Sequence, residues 1–264
     1  MTKRTALALV LAAVSTPAMA KVVDVTVKVE NLGPANDISF APLRFAFNGG
    51  MYDAFNVGEA ATAPIISIAE GGSGSDWFPA FSAADPAAVF GSTMGALTPG
   101  QNFTTAHFRV DTAQNPFFTF GAMVIPSNDL FIGNDDPREY RLLDADGGLL
   151  IPEILQTARE IWNAGSEAAV AANAAFLTSG NNDLRTAENG VVEFGRTELQ
   201  TFQGLETAAG YNFSTNLSND QPIYRISFLT SAVPEPATWA MMILGFSMIG
   251  GLLRSRATAR PVTA

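Results

Sequence analysis

His107 is the single histidine of this 264-residue sequence, and there is no cysteine. Those two facts exclude thiol nucleophiles, thiolate metal sites and any multi-histidine zinc centre. His107 alternates to the same side as Thr105 and Arg109, opposite Ala106, Phe108 and Val110. That pattern marks an exposed strand residue rather than a general base. No Gly-x-Ser-x-Gly elbow occurs, and Gly71-Gly72-Ser73-Gly74-Ser75 lacks the lysine of a phosphate loop. Carboxylates remain. Asp144-Ala145-Asp146-Gly147 begins like a calcium loop of the EF-hand type, but Leu149 and Leu155 occupy its sixth and twelfth places, which need glycine and glutamate. The segment therefore reads as a hairpin turn. Paired carboxylates of a hydrolase are a further option, although so many acids guarantee some close pair in any fold.

The elements that must position these groups read as mostly β. Val23, Val25, Val27 and Val29 alternate with Asp24, Thr26, Lys28 and Glu30, the period of a half-buried strand. Leu43, Phe45 and Phe47 repeat it ahead of Gly49-Gly50, and Phe103 to Val110 is another strand with Ala106, Phe108 and Val110 on one face. Phe117 to Ile125 is almost wholly apolar, as expected of a strand covered on both sides. Tyr140 to Leu143 and Leu149 to Ile151 flank the Asp144 turn, and Tyr224, Ile226 and Phe228 form a last alternation. Helix is expected only over Pro152 to Trp162 and over the alanine-rich Glu167 to Leu177, with a long loop and one helical turn near Phe78 in Gly71 to Gly100. Short strands separated by Gly, Pro and Asn turns predict an antiparallel β-sandwich with one or two short helices.

The two ends carry addresses. Lys3 and Arg4, the uncharged run from Ala6 to Val14 and Ala18-Met19-Ala20 have the layout of a signal peptide cleaved after Ala20. A buried N-terminal helix is the alternative, weakened by the charged start and the small-residue cleavage site. At the other end Val233-Pro234-Glu235-Pro236 precedes an uncharged run from Trp239 to Leu253 and then Arg254, Arg256 and Arg260. That run is short for a permanent span, which takes about 20 residues. The order of parts resembles the PEP-CTERM sorting signal, in which an exosortase-type protease recognises Pro-Glu-Pro before a hydrophobic helix and a basic end; an ordinary single-span tail anchor is the alternative. The resemblance implies an exosortase partner acting at Pro234, Glu235 and Pro236, a transmembrane anchor helix, and membrane contact only through that anchor. The chain thus divides into residues 1–20, a domain over 21–230, and a sorting segment over 231–264.

Setting aside Lys3, Arg4, Arg254, Arg256, Arg260 and Glu235 leaves ten basic residues against twenty-four acidic ones in the central domain. So negative a surface repels nucleic acid and favours cations.

Two motifs stand apart from the strand pattern. Ile125-Pro126-Ser127-Asn128-Asp129-Leu130-Phe131-Ile132-Gly133 follows the apolar strand, and Trp162-Asn163-Ala164-Gly165-Ser166-Glu167 comes some thirty residues later. Together with Val25 to Leu32 and Asp53 to Gly58 they resemble the spondin domain in its bacterial form, over roughly residues 22 to 228. The resemblance implies a C2-like sandwich with one calcium ion held by loops at one end, its ligands falling on Asp129, Asn163 and Glu167. Calcium is a hard ion that takes oxygen ligands, and residues four apart such as Asn163 and Glu167 can aim at one point. Asn163 stands where the family has aspartate, which removes a charge and weakens the ion's hold. The alternative is that Asp129 and Asn163 only cap turns.

The expectation is an exported, surface- or matrix-associated adhesion or binding module without enzymatic activity, calcium-stabilised, whose partner is an extracellular polysaccharide or a surface protein. A secreted carbohydrate-active hydrolase and a purely structural matrix protein are the rival readings.

Overall fold

The computed structural model describes residues 21–233 and 243–247. Residues 1–20, with the expected signal peptide and its cleavage after Ala20, and Pro234, Glu235 and Pro236 lie outside the described residues. Residues 243–247 are helical, and no helix among the described residues is long and apolar enough to cross a membrane.

The domain is mostly β, and every strand pair in it is antiparallel. In chain order the strands are β1 (Val22–Asn31), β2 (Ser39–Phe40), β3 (Arg44–Asn48), β4 (Val89–Ser92), β5 (Asn102–Asp111), β6 (Phe117–Ile125), β7 (Leu130–Gly133), β8 (Glu153–Thr157), β9 (Trp162–Asn163), β10 (Glu193–Phe194) and β11 (Pro222–Ala232). Two helices, α1 (Ala63–Gly71) and α2 (Trp77–Ala84), fall between β3 and β4. One sheet has the order β5-β1-β11-β8, and the other β10-β9-β7-β6-β3-β4 with β2 beside β6.

The sheets face each other across an aromatic core. Val23, Val25, Val27 and Val29 point inward from β1, as their alternation requires, and meet Ile226 and Phe228 of β11. From the other sheet Phe45, Phe47 and Phe118 stack together, and Phe118 meets Phe228 edge-on at 4.8 Å between centroids. β6 is buried on both sides, as its sequence predicts. Its second side is covered by α1, with Ile68 over Gly121, and α2 packs beside α1 through Trp77 and Phe81, the latter against Phe90 of β4. Gly91 in β4 makes room for the core: a Cβ there would lie 2.2 Å from the Phe45 ring.

Several expectations are corrected. Ala106 is exposed, and the inward residues of β5 are Phe103, Thr105, Phe108 and Val110. The cause is a bulge: Thr26 pairs with His107 and Lys28 with Thr104, leaving β5 one residue longer. The Thr105 hydroxyl fills the break, accepting from Val27 N–H at 3.1 Å and donating to Val27 C=O at 3.2 Å. His107 stays exposed on the outer face. Pro152 to Trp162 is not a helix but the edge strand β8 and a 3₁₀ turn over Ala158–Glu160. There Ile154 and Gln156 are buried between exposed Glu153 and Leu155, the two-residue period of a strand paired with β11.

Glu167 to Leu177 is irregular rather than helical. The backbone donors that a helix would use internally are claimed from outside: Glu167 N–H by Asp129, Val170 N–H by the Asn128 amide, Ala175 N–H by Ser127 C=O. Gly71 to Gly100, expected as a loop with one helical turn near Phe78, holds α2 at that turn and, beyond the expectation, β4. The hairpin around Asp144 keeps its turn, with Asp144 Oδ1 accepting from Asp146 and Gly148 N–H at 2.8 Å each. Its flanks make single bridges rather than strands. Finally, β11 runs on to Ala232, past the expected end of the domain.

Phe118 touches both sheets, so its loss leaves a cavity that neither can close. Phe118→Ala should lower unfolding free energy by about 3–5 kcal/mol in urea titrations. Leu229→Ala, at a side chain 69% exposed on the outer face of β11, should change it by less than about 0.5 kcal/mol.

Candidate functional site

The two motifs singled out in the sequence become neighbouring strands. β7 pairs with β9 in the register Leu130 to Asn163 and Phe131 to Trp162. The loop from β6 to β7 thereby lies against the chain leaving β9. Asp129, at the end of that loop, is fully buried. Its Oδ2 accepts Ser166 N–H at 2.8 Å, Glu167 N–H at 3.0 Å and the Ser166 hydroxyl at 3.3 Å, and its own carbonyl takes Ala164 N–H at 3.1 Å. Its Oδ1 is buried and has no hydrogen-bond partner among the described residues.

The turn after Asn163 depends on glycine. Gly165 has φ of +66°, and a Cβ on it would lie 2.6 Å from Val191 N and 2.7 Å from Val191 O. Gly190 N–H donates to Gly165 C=O at 2.8 Å, so a distant loop closes over the turn. Asn163 accepts from Gly165 N–H through its amide oxygen, and its amide NH₂ donates to Glu198 Oε1. Glu198 belongs to a 3₁₀ segment, Arg196–Phe202, that packs through buried Leu199 and Phe202.

Of the three expected ligands, the structure therefore brings Asp129 and Asn163 together with Glu198. In the carboxylate of Glu167, Oε1 accepts from the Asn128 and Asn173 amides at 3.2 and 3.5 Å, and Oε2, buried without a hydrogen bond among the described residues, lies 3.5 Å from Arg185 Nε in an ion pair. Arg185 also pairs with Glu70 at 2.8 Å. Glu198 and Arg185 carried no signal in the sequence. Both lie in the stretch after Leu177, where hydrophobic period and motif are absent, and only folding brings them to the Asp129 loop.

Two carboxyl groups are thus held in one low-dielectric neighbourhood. Burial pushes Asp129 up to about 6 against the pull of the Glu167 and Ser166 amides. Burial, then the charge of Asp129, pushes Glu198 up to about 7. Oxygen donors of this kind suit a hard cation: an unpartnered buried carboxylate oxygen, a second carboxylate and an amide, with water to complete the shell. No cluster of three or more His, Cys, Asp or Glu suited to a metal occurs among the described residues. Any cation here would lean on the Asn163 amide.

Comparison with known families gives one match: the PEP-CTERM protein-sorting motif, over residues 232–257. No curated protein matches the chain. The chain is therefore an exported protein with a C-terminal exosortase sorting signal, consistent with an envelope or extracellular location. The match begins at Ala232, the residue at which β11 ends, so domain and signal abut without a spacer.

The raised carboxyls set a pH dependence. With a chelator present, the folded state holds more protons than the unfolded chain between the ordinary values, 3.8 and 4.5, and the folded ones, about 6 and about 7. Stability must then fall as pH rises through that window and level off above it. Melts of the chelated protein should show this decline, and Glu198→Gln should flatten its upper part.

Proposed function

We propose that the chain is an exported, non-enzymatic adhesion or binding module of the cell envelope or extracellular matrix, stabilised by one weakly held calcium ion. The observation that carries the ion is the orphaned, buried Oδ1 of Asp129 beside Asn163 and Glu198. In this reading Asp129, Glu198 and the Asn163 amide hold calcium, and Glu167 shapes the loop through Arg185. The pairing of β7 with β9 supports the spondin-like reading, because the two motifs that carry the resemblance adjoin in space. A hydrolase reading has one point in its favour, the raised carboxyl pair, but Asp129 has no exposed surface with which to reach a glycosidic bond.

Two carboxylates and one amide make a weak site, with a dissociation constant of about 10⁻⁴–10⁻³ M, as in extracellular modules. At ten times that concentration calcium should add about 1.4 kcal/mol and raise the melting temperature by a few degrees. Asp129→Ala and Glu198→Gln should each abolish the shift, and Asn163→Asp should enlarge it. Glu167→Gln should lower the baseline stability yet leave the shift in place. Identical melts in millimolar calcium and in chelator would sink the ion.

Sorting has its own readout. Protein recovered from the native envelope should begin at Lys21 and end near Pro234 to Pro236 by intact-mass spectrometry. Replacing Pro234, Glu235 and Pro236 with alanine should leave a chain ending at Ala264 in the inner membrane.

A further inference from the structure

A pocket of about 490 Å³ lies beside the 3₁₀ segment that carries Glu198, lined by Ala158, Arg159, Phe194, Arg196, Thr197 and Asn219. Its size falls within the roughly 300–1,000 Å³ of small-ligand sites. Three features set it apart from an ordinary surface depression.

The first is an exposed aromatic platform. Phe194 is 61% exposed, and one face of its ring stacks on Trp162 at 4.9 Å and 27°. Trp162 is held in turn by Phe55 and by its indole N–H, which donates to Gly133 C=O at 3.3 Å. The outer ring face is therefore presented on a rigid base, which lowers the ordering cost of a ligand stacked against it.

The second is charge. The pocket holds two of the domain's ten basic side chains, in a surface otherwise dominated by acids. Arg196 makes no ion pair among the described residues; it is pinned by Nε donating to Asn219 Oδ1 at 2.9 Å and an NH donating to Leu217 C=O at 2.7 Å. Among the described residues Arg159 pairs only with Asp220, at 2.7 Å, and both side chains are largely exposed. Such a pair contributes little and yields readily to a competing anion. Guanidinium forks match a carboxylate in plane and in spacing.

The third is position. Arg159 and Asn219 sit where β8 ends and β11 begins, joined by Arg159 N–H to Asn219 C=O at 2.9 Å. The sorting segment follows Ala232, at the far end of β11, about 33 Å away along a strand of this length. The pocket therefore opens at the end of the sheet remote from the tether.

We propose that this pocket is a subsite for a carboxylate-bearing sugar ring, a uronate unit of an acidic polysaccharide. The C–H face of the pyranose lies on Phe194, the carboxylate meets Arg159 and Arg196, and the Thr197 hydroxyl and Asn219 amide take ring hydroxyls. The proposal rests on the binding-module reading and names its partner; it does not require the calcium ion.

The test is affinity electrophoresis of the mature exported protein in gels containing polygalacturonate, with dextran and poly-glutamate as comparisons. Polygalacturonate should retard the protein, dextran should not, and retardation should weaken in high salt. Phe194→Ala and Arg159→Gln act at largely exposed side chains, outside the core, and should each weaken retention roughly five- to tenfold. Arg196→Lys should weaken it likewise, by losing the fork while keeping the charge. No retardation, or retardation unchanged by Phe194→Ala, overturns the subsite. Equal retardation by poly-glutamate overturns the sugar. A parallel assay for released reducing ends separates the two claims: cleavage of the polymer overturns the non-enzymatic reading. Absent retention without cleavage, in protein that still melts higher with calcium, overturns the subsite alone.

Discussion

The structure depends on the burial of β6 from both sides. Phe118, Phe120, Ala122 and Val124 face or flank the valine-lined sheet, while Gly121 admits Ile68 of α1, whose side chain would be 3.1 Å from a Cβ at that position. No disulfide is available to hold an exported domain together, so cohesion must come from packing of this kind. The phenylalanines supply it: Phe45, Phe47, Phe108, Phe118 and Phe228 form one edge-and-face cluster that ties the sheets together. Once β6 is fixed, the loop leaving it can point Asp129 in only one direction.

A second constraint shapes the long irregular region between β9 and β11. Its backbone makes isolated bridges rather than long ladders, and buried side chains add further cross-links. Asn128 spans the loop by accepting from Val170 N–H and donating to Glu167 and to Val170 C=O. Asn173 donates to Thr186 at 2.8 Å, and Arg185 links Glu70 of α1 to Glu167. Several of these links join residues far apart in sequence, so the region is ordered cooperatively. The candidate cation site and the aromatic pocket both border this region, joined by the single segment that carries Arg196 and Glu198.

β1 and β11, the first and last strands, lie side by side with Val23 opposite Ala232. The start of the domain and the start of the sorting signal consequently lie side by side. The outer face of this sheet is dressed with alternating charge: Lys28, Glu30, Arg225 and Glu153 form a run of ion pairs. Such exposed pairs add little stability individually, but they keep an open sheet face polar.

The sequence alone determined the strands that obey a simple period. β1, β3, β6 and β11 follow from alternation or from an unbroken apolar run, because burial on one face or two leaves that signature in the residues themselves. The C-terminal sorting signal was equally legible, since an exosortase reads linear order. Asp129 and Asn163 were found through short motifs, each local in the chain. Tertiary structure decided the rest. The bulge at Thr105, the strand at Ile154 and the absence of helix after Glu167 all arise from partners that compete with local preference. No period could announce Glu198, Arg185 or the stacking of Phe194 on Trp162. Those groups meet only because β7, β9 and β10 pair in register, and strand pairing is fixed by side chains that are remote in sequence and adjacent in space.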